Sequence, residues 1–153
     1  MRAVVQRARS ASADVGSERV ASIGRGLVAL VGVGADDAPE DAERLAAKVA
    51  TLRIFEDERG KMSRSVVDVG GRVLAVPQFT LYGDISNGRR PDFTSAAPPD
   101  KGQRLYDAFC GALRGAGVTC ESGRFGAHMV VTSEGDGPVT IAVSTDGWPE
   151  ASI

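Results

Sequence analysis

The chain has 153 residues, of which 42% are hydrophobic and 25% charged, and its formal net charge is −2 at pH 7. These values are typical of one globular domain and argue against a disordered chain, a coiled coil or a protein that coats nucleic acid through bulk charge. The chain start lacks the apolar core of a secretory signal, and no stretch is long enough to cross a bilayer. We therefore predict a cytoplasmic protein without a membrane partner.

The chain is poor in the side chains that usually carry catalysis. His128 is the one histidine, and there is no Cys/His cluster, phosphate loop or serine elbow, so we predict neither a metal nor a cofactor. Cys110 and Cys120 are too few for a disulfide framework and are predicted to be reduced. Fifteen of the 18 basic residues are arginine, which suits phosphate contacts and stacking, although genome composition would produce the same bias.

Four β-rich runs open the chain and predict a meander or barrel. Residues of the types Ser, Gly and Arg separate the runs at the short spacing of such sheets. The runs are residues 2–8, 11–15, 18–23 and 27–33.

A change of hydrophobic period then predicts two amphipathic helices. Before the first, Asp37 and Glu40 resemble a capping box, and Pro39 is compatible with a first helical turn. The second helix is predicted to end near residues 115–117. The apolar positions are Ala42, Leu45, Ala46 and Val49 in the first helix, and Leu105, Ala108, Phe109, Ala112 and Leu113 in the second.

Short strands and one long loop are predicted for the rest of the chain. Residues 82–100 are rich in Gly, Asn, Asp, Arg and Pro, and a loop of this length is usually functional or disordered. A glycine-rich turn at 134–138 is predicted to join the last two strands, and the tail from residue 145 shows no period. The predicted strands are 53–55, 65–67, 72–76, 128–133 and 139–144.

The segment Pro77-Gln78-Phe79-Thr80-Leu81 follows a buried strand and can present free amides. Two adjacent unpaired N–H groups can hold a developing oxyanion, and Thr80 would place a hydroxyl beside them. A nucleophilic threonine needs a nearby base, and the local sequence supplies none. The structural alternative is a plain strand in which Phe79 and Leu81 alternate with polar neighbours.

Four other features allow both a functional and a structural interpretation. Gly137-Pro138 can expose carbonyl oxygens in a fixed direction, but an ordinary trans turn fits equally. The loop segment 88–93 combines two arginines, a proline and a phenylalanine, which suits contact with phosphates and bases or a solvated loop. His128 and Phe125 fit packed positions as well as a site.

Taken together and in this order, these residues resemble the D-aminoacyl-tRNA deacylase family. Its signatures are a Ser-Gln-Phe-Thr-Leu strand end and an Asn-x-Gly-Pro-x-Thr turn near the C-terminus. The resemblance covers about residues 1 to 145, interpreted as one domain, with 146–153 as a C-terminal tail. The matching residues are Gln78-Phe79-Thr80-Leu81, Gly137-Pro138 with Thr140, Gln6-Arg7, Arg53-Ile54-Phe55, Gly60-Lys61-Met62, Arg90-Pro91 with Phe93, Gly123-Arg124-Phe125, and Met129.

The resemblance implies a compact, single-domain α+β fold with a β-barrel-like core flanked by two helices, acting as a homodimer. It implies hydrolysis of the ester between a D-amino acid, or glycine mischarged on tRNA-Ala, and the 3′-terminal adenosine of tRNA. In that family the Gly-Pro bond is cis and reaches into the active site of the other subunit. An aminoacyl ester is already activated and the ribose hydroxyl can assist water, so orientation and oxyanion stabilisation suffice.

The resemblance also implies roles for individual residues. The catalytic set would be Gln78, Phe79 and Thr80, with the amides of Phe79 and Thr80 facing the scissile carbonyl. The substrate-binding set begins with Gly137 and Pro138, whose carbonyls would accept hydrogen bonds from the α-amino group, and with Arg7, which would hold that turn. Phe125 and Met129 complete the set, and Phe125 would line the adenosine pocket. An L-residue would push its Cβ into the proline wall, whereas glycine would pass.

The sequence departs from the family pattern at two positions, and two rival functions stay open. Pro77 replaces the family's serine, which removes a hydroxyl and an N–H, and Gly135 replaces the asparagine that would brace the turn. One rival is a non-catalytic module that binds an RNA end. The other is a small-molecule ester hydrolase with Thr80 as its nucleophile.

Overall fold

Strand β1 organises the sheet because it pairs along both of its edges. In this computed structural model, which describes residues 1–148, β1 spans Arg2–Val15. One edge pairs with β2 (Glu18–Ile23) and β3 (Gly26–Gly32), and the other pairs with β8 (Val130–Ser144), all antiparallel. Both halves of the chain therefore meet on one strand.

The sheet continues from β3 through two parallel strands and curls towards a barrel. β6 (Arg72–Pro77) pairs with β3, and β7 (Thr119–Ser122) pairs with β6. β2 contacts β6 and β7 without being hydrogen-bonded to them, so the six-stranded sheet is nearly closed. A separate small hairpin is formed by β4 (Phe55–Glu56) and β5 (Met62–Arg64).

Two helices cover one face of this sheet. α1 (Pro39–Thr51) and α2 (Pro99–Gly115) pack against each other, and the apolar positions predicted from their periodicity point mainly into the core. The largest side chains in that core include Phe55, Leu45, Tyr106 and Phe109, all almost fully buried. The predicted α+β fold with a barrel-like core and two helices is confirmed for residues 1–148.

A second, smaller core lies on the opposite face of the sheet. Alternate residues of β3 and β6 point to opposite sides, so Leu74 and Val76 leave the helix-covered core and join the second cluster. Met129 packs against this cluster from the chain segment after β7. The second core thus lies under the end of β6, where the sequence places its first functional motif.

Several predicted boundaries are wrong, for identifiable reasons. The runs 2–8 and 11–15 are one strand, because β1 continues past its exposed Arg9 and Ser10 by pairing with β8. The strands predicted at 53–55 and 65–67 are replaced by the shorter hairpin β4–β5. Strand β7, with its short Thr-Cys-Glu-Ser sequence, was not predicted.

The capping box and the last two predicted strands also differ from the structure. Ala38 is the N-cap of α1, and its amide donates to Asp41 Oδ2 at 2.9 Å, while Asp37 accepts a hydrogen bond from the amide of Gly34 instead. The predicted strands 128–133 and 139–144 belong to one strand, β8, which begins only at Val130, and the predicted turn is a bulge within it.

The C-terminal tail is described only in part. Residues 149–153 of the predicted tail lie outside the described residues, whereas Asp146 and Trp148 contact Arg2. In residues 1–148, neither helix has the length and apolar character needed to cross a bilayer.

Candidate active site

A cavity of about 290 Å³ opens where β6 ends. Its walls come from the end of β6 and from the segment that leads into β8. The lining residues are Val76, Pro77, Gln78, Phe79, Phe125, Gly126, Ala127, His128, Met129 and Val131. The structure therefore brings together Gln78, Phe79, Phe125 and Met129 from the predicted site.

Proline is tolerated at position 77 because β6 does not need a backbone N–H donor towards β7 at this point. The last residue pair between these strands is Ala75 with Ser122, and Gly123 then donates its amide to the Ala75 carbonyl at 2.8 Å. On the other side, the amide of Gln78 donates to the carbonyl of Val31 at 2.8 Å. The departure from the family serine thus leaves the sheet intact.

Phe79 begins a single 3-10 turn, Phe79–Tyr82, so the plain-strand alternative is wrong. The first amides of a helical turn have no preceding carbonyl to bond. Leu81 donates to the Gln78 carbonyl at 3.3 Å, but the amides of Phe79 and Thr80 donate to no group within residues 1–148. Two adjacent N–H groups are therefore free, and of these two residues Phe79 lines the cavity whereas Thr80 does not.

The hydroxyl of Thr80 has an amide neighbour and no base. Gln78 Nε2 donates a hydrogen bond to Thr80 Oγ1, and both side chains lie near the protein surface. Within residues 1–148, no histidine, lysine or carboxylate is hydrogen-bonded to this hydroxyl. A Thr80 nucleophile would therefore lack the activation that such a role requires.

Phe125 and Met129 are fixed by close packing beside the cavity. The ring of Phe125 lies 6.3 Å from that of Tyr106, whose hydroxyl donates to the Ala75 carbonyl at 2.9 Å. Met129 covers Gly123 so tightly that a Cβ on that glycine would lie 2.8 Å from the Met129 sulfur. Both side chains present apolar surface suited to a planar ring.

Phe79 is 59% exposed although it is an aromatic residue in an ordered turn. Its ring meets that of Phe93 edge to face at a centroid distance of 5.1 Å. Phe93 belongs to the long loop predicted at 82–100, which is folded back on itself by paired backbone bonds between Asp84 and Asp92. The two exposed arginines of that loop, Arg89 and Arg90, thereby lie on a segment anchored at the cavity.

The second motif lies elsewhere on the molecule, in a bulge of β8. The bond between Gly137 and Pro138 is cis, and both residues are exposed. Gln6 pairs with Thr140 and Ala8 with Gly135, so residues 136–139 stand opposite Arg7 alone. Neither Gly137 nor Pro138 lines the cavity, so one copy of the chain does not bring the two motifs together.

Arg7 holds this bulge from beneath. The side chain is 6% exposed; its Nε donates to the Asp136 carbonyl at 3.1 Å, and its Nη1 donates to the Ile54 carbonyl at 2.6 Å. The Nε atom also lies 3.3 Å from the Asp136 carboxylate. Gly137 has a φ of 126°, and a Cβ there would lie 3.1 Å from Arg7 Nη2, so the position favours glycine.

The residues that hold the 3-10 turn from behind were not predicted from the sequence. The ring of Tyr82 packs on Gly34, and its hydroxyl donates to Asp37 Oδ2 at 3.2 Å. Burial and the nearby carboxylate raise the pKa of Tyr82 far above its ordinary value, so the phenol stays a neutral donor. Arg2 donates to the Leu81 carbonyl. No local pattern links these residues, because 79 positions separate Arg2 from Leu81.

The described part of the chain offers no evident place for a metal. Within residues 1–148, no three His, Cys, Asp or Glu side chains converge in a way that could hold an ion. The free amides of Phe79 and Thr80 can donate hydrogen bonds to an oxyanion.

Comparison with known proteins assigns the chain to a family. The profile of the family described as D-Tyr-tRNA(Tyr) deacylase matches residues 4–144. The chain belongs to this deacylase family. The family resemblance predicted from the two motifs is confirmed, whereas the roles of the individual residues stay predictions.

Relatives match over almost their entire length. The D-aminoacyl-tRNA deacylase of Thermotoga petrophila is 57% identical over 145 residues, which cover 95% of this chain and 97% of the relative. The D-aminoacyl-tRNA deacylase of Thermus aquaticus is 54% identical, with 97% and 98% covered. A solved structure named c-Myc DNA Unwinding Element Binding Protein has a TM-score of 0.89 at 40% identity, with 95% of this chain and 99% of that chain covered.

Proposed function

We propose that this chain hydrolyses the ester that joins a D-amino acid to the 3′-terminal adenosine of tRNA, at a site completed by a second copy of the chain. The observation that carries the proposal is the pair of free amides, within residues 1–148, at Thr80 and at the cavity-lining Phe79. Membership of the deacylase family supports the substrate class. The protein is proposed to act in the cytoplasm.

The reaction needs orientation and one stabilised negative charge. Water attacks the ester carbonyl carbon, assisted by the 2′-hydroxyl of the terminal ribose, and the carbonyl oxygen becomes an oxyanion that accepts hydrogen bonds from Phe79 and Thr80. The intermediate then collapses, the bond to the 3′ oxygen breaks, and that oxygen takes up a proton. The products are the free D-amino acid and tRNA.

Chiral selection is assigned to Gly137 and Pro138 of the second copy. Their carbonyl oxygens would accept hydrogen bonds from the α-amino group of the substrate, and Arg7 would keep the bulge in place through its bonds to Asp136 and Ile54. A D-residue would direct its side chain away from this wall, whereas the Cβ of an L-residue would collide with it. Glycine has no Cβ and would enter as well, so glycyl-tRNA mischarged on tRNA-Ala is a second proposed substrate.

The terminal adenosine is assigned to the opposite wall of the cavity. Phe125 and Met129 offer an aromatic ring and a polarisable sulfur, which suit stacking against a base. Phe125 keeps its position through Tyr106 and Met129 through Gly123, so the base would meet a preformed surface.

A homodimer is proposed because one copy separates the two motifs. β8 pairs with β1, and its early residues Val130 and Val131 are exposed although apolar, as is Phe79. Exposed apolar residues on an edge strand suit pairing with another chain. Sedimentation of the purified protein is expected to give the mass of two chains.

Matched D- and L-aminoacyl-tRNA provide the decisive test. The purified protein should release the amino acid from the D-ester much faster than from the L-ester of the same tRNA. Equal rates on both esters, or no turnover of the D-ester, would contradict the proposal. Binding of uncharged tRNA without any turnover would support an RNA-end-binding module instead.

A tRNA that ends in 2′-deoxyadenosine separates the RNA-assisted route from a threonine nucleophile. Turnover of its D-ester should be lost when the neighbouring hydroxyl is needed. Retained turnover together with a trapped acyl group on Thr80 would support the small-molecule type of hydrolase.

A further inference from the structure

The 3-10 turn that carries the free amides is tied to the sheet through its carbonyl side. Arg2 Nη1 donates a hydrogen bond to the Leu81 carbonyl at 3.0 Å. Leu81 follows Thr80 directly, so the bonded carbonyl lies within the same turn as the amide pair. Arg2 begins β1, and the bond therefore connects the turn to the strand with the most partners in the sheet.

Three further contacts fix the guanidinium of Arg2. Its central carbon lies 4.2 Å from the ring centroid of Tyr82 and 5.4 Å from that of Trp148. Its Nε donates to Asp146 Oδ2 at 2.9 Å. A planar guanidinium suits this combination of stacking and hydrogen bonding, and a lysine ammonium would reproduce only part of it.

Tyr82 makes the arrangement stiff from the other side. A Cβ on Gly34 would lie 2.8 Å from the Tyr82 ring, and the phenol hydroxyl donates to Asp37. The turn therefore has a buried ring behind it and a guanidinium over that ring. Arg2 therefore contacts the turn at two points, the Leu81 carbonyl and the Tyr82 ring.

We propose that Arg2 is a positioning residue for ester hydrolysis, which holds the Leu81 carbonyl so that the amides of Phe79 and Thr80 keep a fixed position at the end of β6. This inference rests on the proposed role of those amides. Arg2 does not line the cavity, so it acts through the turn and not on the substrate. A displacement of about 1 Å in these amides is expected to lower the rate of the chemical step more than it weakens substrate binding.

Steady-state kinetics of Arg2→Met on D-aminoacyl-tRNA test the proposal. We expect kcat to fall about tenfold while KM stays within about twofold, because the amides act on the transition state and the cavity is intact. Arg44→Met is the matched control: Arg44 also pairs with an aspartate, Asp41, but on the exposed face of α1. Arg2→Lys keeps one donor and should recover part of the lost kcat.

Asp146→Asn separates positioning from a simple ion pair. It removes the charge of the Arg2 partner but leaves the Leu81 bond and the Tyr82 stacking, so kcat should stay within about twofold of wild type. Equal losses in Arg2→Met and Asp146→Asn, or an Arg2→Met enzyme as active as Arg44→Met, would overturn the proposal. If Arg2→Met does not fold, the same comparison is made with Arg2→Lys.

The proposed function and the assignment of Arg2 are overturned by different results. Absence of D-ester hydrolysis by the wild-type protein would remove the proposed function itself. A wild-type enzyme with normal D-ester turnover and an unaffected Arg2→Met variant would remove only the assignment of Arg2.

Discussion

Main-chain groups carry the proposed chemistry at Phe79 and Thr80, so ordinary side-chain replacement is a poor probe of it. Alanine at either position keeps the N–H group. Proline removes the N–H, and the first position of a helical turn is the place where proline is best tolerated. Phe79 holds that position, and Gln78 before it, with φ of −141° and ψ of 75°, lies outside the helical region that a following proline disfavours.

Phe79→Pro compared with Phe79→Ala isolates the amide. Both variants lose the ring, but only the proline variant loses the donor, so its kcat should be lower by about 10²- to 10³-fold, the usual cost of one oxyanion donor. Single-turnover hydrolysis of D-aminoacyl-tRNA measures the difference. Equal rates for two folded variants would exclude a catalytic role for this amide.

Thr80→Ala examines the hydroxyl of the neighbouring residue. We expect substantial activity to remain, because the amide of residue 80 is kept and no base activates the hydroxyl within residues 1–148. The measurement is kcat on the D-ester. Complete loss in a folded variant that still binds tRNA would instead identify Thr80 as a nucleophile.

Arg7 and Arg9 form a natural pair for testing the support of the bulge. Arg7 is almost fully buried and bonds two carbonyls, whereas the side chain of Arg9 is 70% exposed and lies 3.8 Å from Asp136. Arg7→Met should lower the free energy of unfolding by about 2 to 4 kcal/mol, since it leaves buried acceptors unpaired. Arg9→Met should change it by less than about 1 kcal/mol. Urea unfolding gives both values, and equal losses would contradict the support role.

At the scale of elements, the 3-10 turn packs against the end of β3 and the residues that follow it. A Cβ on Gly32 would lie 2.9 Å from the Gln78 carbonyl oxygen, and a Cβ on Gly34 would meet the Tyr82 ring. The two glycines thus permit close approach between backbone and turn. Neither needs an unusual φ; the requirement is space.

Gly34→Ala should displace the turn without touching the cavity directly. We expect a loss of about 1 to 3 kcal/mol in unfolding free energy, as for other overpacked sites, together with a lower kcat. Gly24→Ala is the control, because no atom lies within 4 Å of its added Cβ. A Gly34→Ala enzyme with wild-type kcat and stability would show that the turn does not depend on this contact.

The helices and strands were predictable from the sequence where the local hydrophobic period matches the way in which the element packs. Both helices and strands β2, β3 and β6 follow from local pattern. β1 and β8 were each divided in two, because Arg9-Ser10 and Gly135–Pro138 look like breaks locally. Pairing between these two strands keeps both segments extended, so each strand continues past the apparent break. Such long-range pairing has no local signal in the sequence.

The candidate site was predictable to a similar extent. Gln78 and Phe79 share a cavity with Phe125 and Met129, which only the family resemblance had connected. The free amides follow from the 3-10 turn, and its carbonyl is held by Arg2 from the other end of the sequence. Those contacts depend on tertiary packing, so periodicity and spacing could not reveal them.

At the scale of the whole molecule, the proposal requires each site to draw on two copies. Phe79→Pro and Gly137→Ala would then damage opposite halves of a site, the latter through the Cβ beside Arg7 and Val139. In a symmetric dimer, one mixed pair contains one doubly damaged site and one intact site.

Refolding an equal mixture of the two variants tests this arrangement. Random pairing makes half the dimers mixed, with one intact site in two, so about a quarter of wild-type activity should return. Each variant alone serves as the control, and native mass spectrometry verifies the exchange. Mixed dimers without recovered activity would place the complete site within one chain.

Strand β1 also sets a length scale. Arg2 fastens the turn with the free amides and Arg7 fastens the bulge with Gly137-Pro138, and both lie on this one strand. Five residues of extended chain separate their Cα atoms by roughly 17 Å and direct the two side chains to opposite faces. The number of residues between Arg2 and Arg7 therefore fixes both the distance and the relative direction of these side chains. Deleting one residue between them would shorten the distance and turn one arginine to the wrong face of the sheet, without removing any group that touches substrate.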